Sequence, residues 1–116
     1  MPIIYRSIFR PDLFAGHTYI VTGGGTGIGR AVAHELASLG AHVVLAARTM
    51  ENLERVTAEI RDAGGSASFF ACNIREEEQV AALFDYVLAE RGGFHGLVNN
   101  AGGQFISPAE MISLKG

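Results

Sequence analysis

The sequence predicts an α/β fold, a doubly wound parallel sheet with flanking helices. Three observations carry this. Four short apolar runs alternate with three amphipathic helical patterns. A glycine closes each helical pattern, at Gly40, Gly64-Gly65 and Gly92-Gly93. A glycine cluster, Thr22-Gly23-Gly24-Gly25-Thr26-Gly27-Ile28-Gly29, stands between the first apolar run and the first helical pattern. Strands joined by helices of this length run parallel, with right-handed crossovers. Their near-continuous apolar character suits a sheet covered on both faces.

The elements follow in order. Residues 1–16 read as a lead-in that packs Phe9 and Phe14 on the domain, punctuated by Pro11 and Gly16. Residues 17–116 read as one partial domain. The first strand spans 17–22. The first helix spans Gly27 to Leu39, with Ile28, Val32, Leu36 and Leu39 on its inner face. The second strand is His42 to Ala47. Thr49 is the expected N-cap of a second helix that buries Leu53, Val56 and Ile60. The third strand is Ala67 to Cys72. The third helix carries Glu76, Glu77 and Glu78 in its first turn, where the helix dipole favours them. Its inner face is Val80, Leu83, Phe84, Val87 and Leu88. The fourth strand is Gly96 to Asn99. Ser107-Pro108-Ala109-Glu110 then has the form of a capping box with proline at N1. Gly116 follows barely two turns later, so the expectation is a chain that stops inside an element.

Composition bounds the function classes. With 116 residues, 48% hydrophobic and 18% charged, the chain should bury one core. A net charge of −3 argues against a broad nucleic-acid surface. A single cysteine, Cys72, excludes an internal disulfide and a cysteine-rich zinc site. No apolar run approaches the ~20 residues of a membrane span. The lead-in lacks the continuous apolar core of a secretory signal. The expected location is cytoplasmic. His17, His34, His42 and His95 have no metal-ligand spacing and read as surface or strand-end residues, so no metal site is expected.

The glycine cluster is the one stretch with chemistry. A strand, a glycine turn and a helix together cradle phosphate. Glycine admits positive φ and close backbone approach. The helix that follows begins with unpaired N–H groups and a partial positive charge. A P-loop would need Lys and Ser/Thr after the last glycine, where Arg30 and Ala31 stand. The strict G-x-G-x-x-G also fails, because position 28 is Ile28. The pattern that fits is T-G-x-x-x-G-I-G, on Thr22, Gly23, Gly27, Ile28 and Gly29, with Gly25 and Thr26 inside the turn.

That form, together with Asn99-Asn100-Ala101-Gly102 after the fourth strand, resembles the short-chain dehydrogenase/reductase family. The resemblance covers the chain after Phe14. It implies the first half of a Rossmann fold, about four strands, that binds a nicotinamide dinucleotide. Asn100, Ala101 and Gly102 would then sit by the nicotinamide ribose. Arg48 stands at the end of the second strand, where an NAD site usually has an acid. Its planar fork suits a 2′-phosphate, so NADP(H) is expected over NAD(H). Asn73-Ile74 stands where the family usually has an aspartate and an aliphatic residue beside the adenine. Asn73 either accepts from the adenine amine or caps the third helix, or both.

Cys72-Asn73-Ile74-Arg75 and the run from Asn99 to Glu110 look like the peroxisomal trans-2-enoyl-CoA reductase branch. The dienoyl-CoA reductases are similar but less close. Tyr5 to Pro11 and the Gly-Gly-Gln-Phe run are similar to bacterial citronellol/citronellal dehydrogenases. The resemblance therefore implies acyl or alcohol substrates, Gln104 and Phe105 near the substrate mouth, and homo-oligomers in complete enzymes. For a eukaryotic relative it leaves a peroxisomal location open. The family's Tyr-x-x-x-Lys pair uses lysine to lower the tyrosine pKa for proton transfer. Tyr5, Tyr19 and Tyr86 are followed four places later by Phe9, Gly23 and Glu90, and Lys115 follows Met111. The expectation is an N-terminal part without catalytic residues, inactive alone. The resemblance puts a trans-2-enoyl-CoA reductase type first; the alternatives are an alcohol/aldehyde (citronellol-type) or 3-oxoacyl dehydrogenase/reductase, or a non-catalytic nucleotide-binding module.

Overall fold

A computed structural model describes residues 7–100. The elements are β1 (Thr18–Thr22), α1 (Gly27–Ser38), β2 (His42–Ala47), α2 (Met50–Asp62), β3 (Ser66–Ala71), α3 (Glu77–Arg91) and β4 (Gly96–Asn99). The strands form one parallel sheet in the order β3-β2-β1-β4. The chain thus lays β2 and β3 on one side of β1 and returns to place β4 on the other. The sheet order reverses between β1 and β4, and the carboxyl ends of the strands at such a switch point are where open α/β sheets bind ligands.

Alternation along the strands builds two core layers. On one face, Val21, Val43, Leu45 and Ala67 meet Ala33 and Ala37 of α1 and Leu53, Val56 and Ile60 of α2. On the other, Ile20, Val44, Ala46 and Cys72 meet Leu83 and Val87 of α3. Residues 41–46 are all buried because β2 lies inside the sheet with both faces covered. The Cys72 thiol follows β3 in this core, and burial raises its pKa. Among the described residues no helix is long and apolar enough to cross a membrane.

Several expectations are corrected. α1 turns its small residues inward: Gly29, Ala33 and Ala37 are buried, whereas Ile28 is 73% exposed. Small side chains let the helix lie close to the strands; Leu39 is buried and Leu36 packs against this core as expected, while Val32 is only half-buried. In α3, Leu83 and Val87 point inward one turn apart, and Leu88, rotated off that line, is exposed. Phe9 is exposed too, while Phe14 packs edge-on to Tyr19 and stacks on His17. β3 starts one residue earlier than expected and ends at Ala71. Thr49 is the N-cap of α2, but its hydroxyl makes no capping bond. Asn73 does not cap α3, whose N-cap is Glu76; its side-chain oxygen instead accepts from the Arg75 N–H at 3.0 Å, an Asx turn before the helix. His34 is buried rather than at the surface, and His42, at the start of β2, is buried as well. The Ser107 helix start, Gln104, Phe105 and Lys115 lie outside the described residues.

Candidate functional site

The site is built where β1 runs into α1. Gly23 has φ 68° and donates its N–H to the Ala46 oxygen at 2.8 Å, so the turn begins by leaning on β2. Gly24 and Gly25 are buried against neighbours. A Cβ on Gly24 would come within 2.6 Å of Leu45 Cδ2, and one on Gly25 within 2.8 Å of Asn52 Cβ. Gly27 has φ 56°, and a Cβ there would meet nothing within 4 Å. The turn is therefore closed below and open above.

The open side carries donors. α1 begins at Gly27 with Thr26 as its N-cap. Arg30 is the first amide paired into the turn, donating to the Thr26 oxygen at 3.2 Å. Among the described residues, no hydrogen bond takes up the N–H groups of Gly27, Ile28 and Gly29. Thr26, Gly27 and Ile28 are all exposed. Three free amides, a helix dipole and no side-chain obstruction at Gly27 suit a diphosphate.

Tertiary contact joins this turn to the end of β4, more than seventy residues on. Thr22 pairs in register with Ala46 on one side and Asn99 on the other. Its Oγ1 donates to the Val98 oxygen (3.2 Å) or the Asn99 Oδ1 (3.3 Å) and accepts from the Asn100 N–H at 2.9 Å. Gly29 sits between the two segments. A Cβ there would be 2.2 Å from the Gly23 oxygen and 2.8 Å from the Asn100 Nδ2. Gly23, Gly29 and Asn100 are thus one interlocked unit. Ala101 and Gly102 lie outside the described residues.

The remaining predicted residues border this unit. Arg48 follows β2, next to the end of β1; it is exposed and makes no hydrogen bond or ion pair with a described residue. Asn73 has used one lone pair of its amide oxygen on Arg75, which leaves the second and its NH2 group. Ile74 is half-buried against the α3-side core. The sequence reading missed Arg55, whose Nη2 reaches the Gly25 oxygen at 3.4 Å from α2. Seven positions after Arg48, roughly two helical turns, was the available signal. It becomes legible only once Asn52 is seen packed on Gly25.

A second polar unit holds α1 in place. Arg30, directly after Gly29, forks onto Glu59 of α2 with two 2.8 Å bonds. The buried His34 ring nitrogen Nε2 lies 3.0 Å from the same carboxylate. The Arg30 hydrogen bond holds the Glu59 carboxyl below its ordinary value of 4.5, against an opposing effect of burial. The folded value is depressed, so the stabilisation is present above pH 4.5 and is lost as acid carries the group through its lower folded pKa. Glu59→Gln is expected to cost about 1–2 kcal/mol at pH 7, discounted for the half-exposed arginine. It should also flatten the part of the acid limb that lies below pH 4.5, as urea unfolding across pH will read.

Known proteins agree with this architecture. The family model described as short chain dehydrogenase matches residues 17–115. A probable 2,4-dienoyl-CoA reductase of Caenorhabditis elegans is 43% identical over 115 residues, which is 97% of this chain and 37% of that protein. An uncharacterized oxidoreductase of Mycobacterium bovis is 43% identical over 94 residues, 78% of this chain and 28% of its own length. Among solved structures, a citronellol catabolism dehydrogenase of Pseudomonas aeruginosa PAO1 superposes with TM-score 0.83 at 61% identity, over 94% of this chain and 44% of that one. A metagenomic short-chain oxidoreductase in complex with NADP gives TM-score 0.74 at 45% identity, over 85% of this chain and 45% of that one. The chain therefore spans less than half the length of these relatives. The model match over residues 17–115, the parallel sheet and the interlocked glycine turn agree: the chain belongs to the short-chain dehydrogenase family.

Proposed function

We propose that this chain is the coenzyme-binding part of an NADP(H)-dependent oxidoreductase acting on acyl-chain substrates, of the enoyl-CoA reductase type. The observation that carries it is the set of three unpartnered amides on Gly27, Ile28 and Gly29, flanked by the exposed, unpaired Arg48. The amides would receive the diphosphate and Arg48 the 2′-phosphate. The Asn73 amide and Ile74 would border the adenine, and Asn100 to Gly102 the nicotinamide ribose. The bound coenzyme supplies hydride chemistry; these residues bind and orient it. The dienoyl-CoA reductase at 43% identity supports the acyl substrate class.

A second reading, an alcohol or aldehyde dehydrogenase of the citronellol type, is favoured by the 61% identity to the Pseudomonas protein. Both readings share the coenzyme site and differ in the substrate. A cytoplasmic location and a homo-oligomeric complete enzyme belong to the proposal. Residues 1–116 lack a Tyr-x-x-x-Lys pair and should turn over neither enoyl-CoA nor citronellol.

Calorimetry tests the shared site. NADPH should bind residues 1–116 more tightly than NADH. Arg48→Ala should weaken NADPH by roughly tenfold or more, the worth of a charge-assisted hydrogen bond to phosphate, and leave NADH unchanged. An unaltered NADPH/NADH ratio would remove Arg48 from the site. Absence of binding by either coenzyme at millimolar concentration would sink the proposal.

A further inference from the structure

The opposite end of the sheet holds a feature that the coenzyme site does not use. In the row where the strands begin, Thr18, His42 and Ser66 stand side by side across β1, β2 and β3. Thr18 and His42 are buried. A polar row is out of keeping with a parallel sheet whose next row is Tyr19, Val43 and Ala67. Above it lies an open cavity of about 360 Å³, lined by His42, Ser66, Ser68, Arg61, Glu90 and Arg91, with Gly65 and Ala67.

The two arginines arrive from different helices. Arg61, in the last turn of α2, donates Nε–H to the Ala67 oxygen at 3.1 Å. Arg91, in the last turn of α3, directs Nε–H at the Thr18 Oγ1 at 3.5 Å, a long contact. A cation in the last turn complements the helix dipole, which accounts for the choice of residue type. It does not account for both side chains lining one cavity. Among the described residues, neither arginine makes an ion pair, with Glu90 or with any other carboxylate, and no hydrogen bond engages their Nη groups. Arg61 is thus held at Nε and Arg91 more loosely, both side chains are exposed, and their outer donors are unused.

His42 fixes the floor. Its Nδ1 lies 2.5 Å from the Ser66 Oγ and its Nε2 3.0 Å from the Ser68 Oγ. Burial, with Arg91 and Arg61 nearby, lowers its pKa to about 4, so the ring is neutral at pH 7. A neutral imidazole donates from one nitrogen and accepts at the other. One serine therefore gives its O–H to the ring. The other accepts the ring N–H and keeps its own O–H for a ligand. Two guanidinium edges and one hydroxyl then face the cavity, and Glu90 is the one carboxylate at its rim.

We propose that this cavity, at the N-terminal ends of β2 and β3, binds the phosphoryl group of a small phosphorylated ligand or free phosphate. Several oxygens at tetrahedral angles match donors that arrive from two helices and a strand, and planar arginine forks suit phosphate. The site is separate from the coenzyme turn. The length of β2 lies between them, about 20 Å for six residues.

Inorganic phosphate is the first probe, titrated into residues 1–116 at constant ionic strength and followed by NMR at the His42 ring and the Ser66 and Ser68 amides. Saturable shifts are expected with a dissociation constant of about 1 mM. The His42 midpoint should rise by roughly one unit as the bound anion offsets the arginines. Phenyl phosphate is the second arm: tighter binding than phosphate assigns the site to an organic ester, and equal binding assigns it to free phosphate, both within the proposal. The paired variant Arg61→Gln/Arg91→Gln should abolish the shifts while the spectrum of the glycine turn stays unchanged. The proposal is overturned if chloride or acetate produces the same shifts, if phosphate does not saturate, or if the paired variant, folded by its spectrum, still responds.

Discussion

Gly29→Ala is expected to lower stability by about 2–3 kcal/mol and coenzyme affinity by more than tenfold. The added methyl would stand 2.2 Å from the Gly23 oxygen and 2.8 Å from the Asn100 Nδ2. The first of these is backbone, at the start of a turn already anchored by the Gly23 N–H to the Ala46 oxygen. The Asn100 amide can rotate aside, but the Gly23 oxygen cannot yield without lifting α1 off the sheet or distorting the turn. Either movement displaces the three amides that would face the diphosphate. Gly27→Ala is the control. Its methyl meets nothing within 4 Å, so it pays only for positive φ, about 1 kcal/mol. Urea unfolding and NADPH calorimetry on both variants check the pair. Equal costs at 27 and 29 would show that the interlock of Gly23, Gly29 and Asn100 is not what holds the turn.

Acid should destabilise the fold through His42 before any carboxylate contributes. The ring has an ordinary pKa of 6.5 and a folded value of about 4. The unfolded chain therefore takes up a proton first, and stability falls as pH drops from 6.5 towards 4. At ~1.36 kcal/mol per unit the loss over this window is on the order of 3 kcal/mol. The cause is structural: the residue is 8% exposed and has Arg61 and Arg91 for neighbours. His42→Gln can keep contacts to the serines without titrating, so its stability should be nearly flat between pH 6.5 and 4.5. Denaturant midpoints of both proteins across that range decide it. A slope that persists in the variant would place the titration elsewhere.

The elements were readable because each has a local cause. Val43-Val44-Leu45 is apolar without interruption, as a strand covered on both faces must be. Gly40, Gly64 and Gly92 have φ between 76° and 95°, a region other residues avoid, so the helices stop where the glycines stand. The face of α1 was readable only in part. Periodicity selects the largest apolar residues; Leu36 and Leu39 do pack inward, but Ile28 does not, because a helix lying close to a sheet is chosen by its smallest, Ala33 and Ala37. His34 was misplaced for a related reason: its partner Glu59 lies on another helix, twenty-five residues away.

By itself the sequence determined the strands, the helices and the glycine turn, because turn chemistry and apolar runs act between near neighbours in the chain. Only the tertiary structure decided that Asn100 closes on Gly29, that Arg55 reaches Gly25, and that Arg61 and Arg91 share a cavity with His42. Those are meetings between segments brought together by sheet order and helix packing, and no local pattern records them.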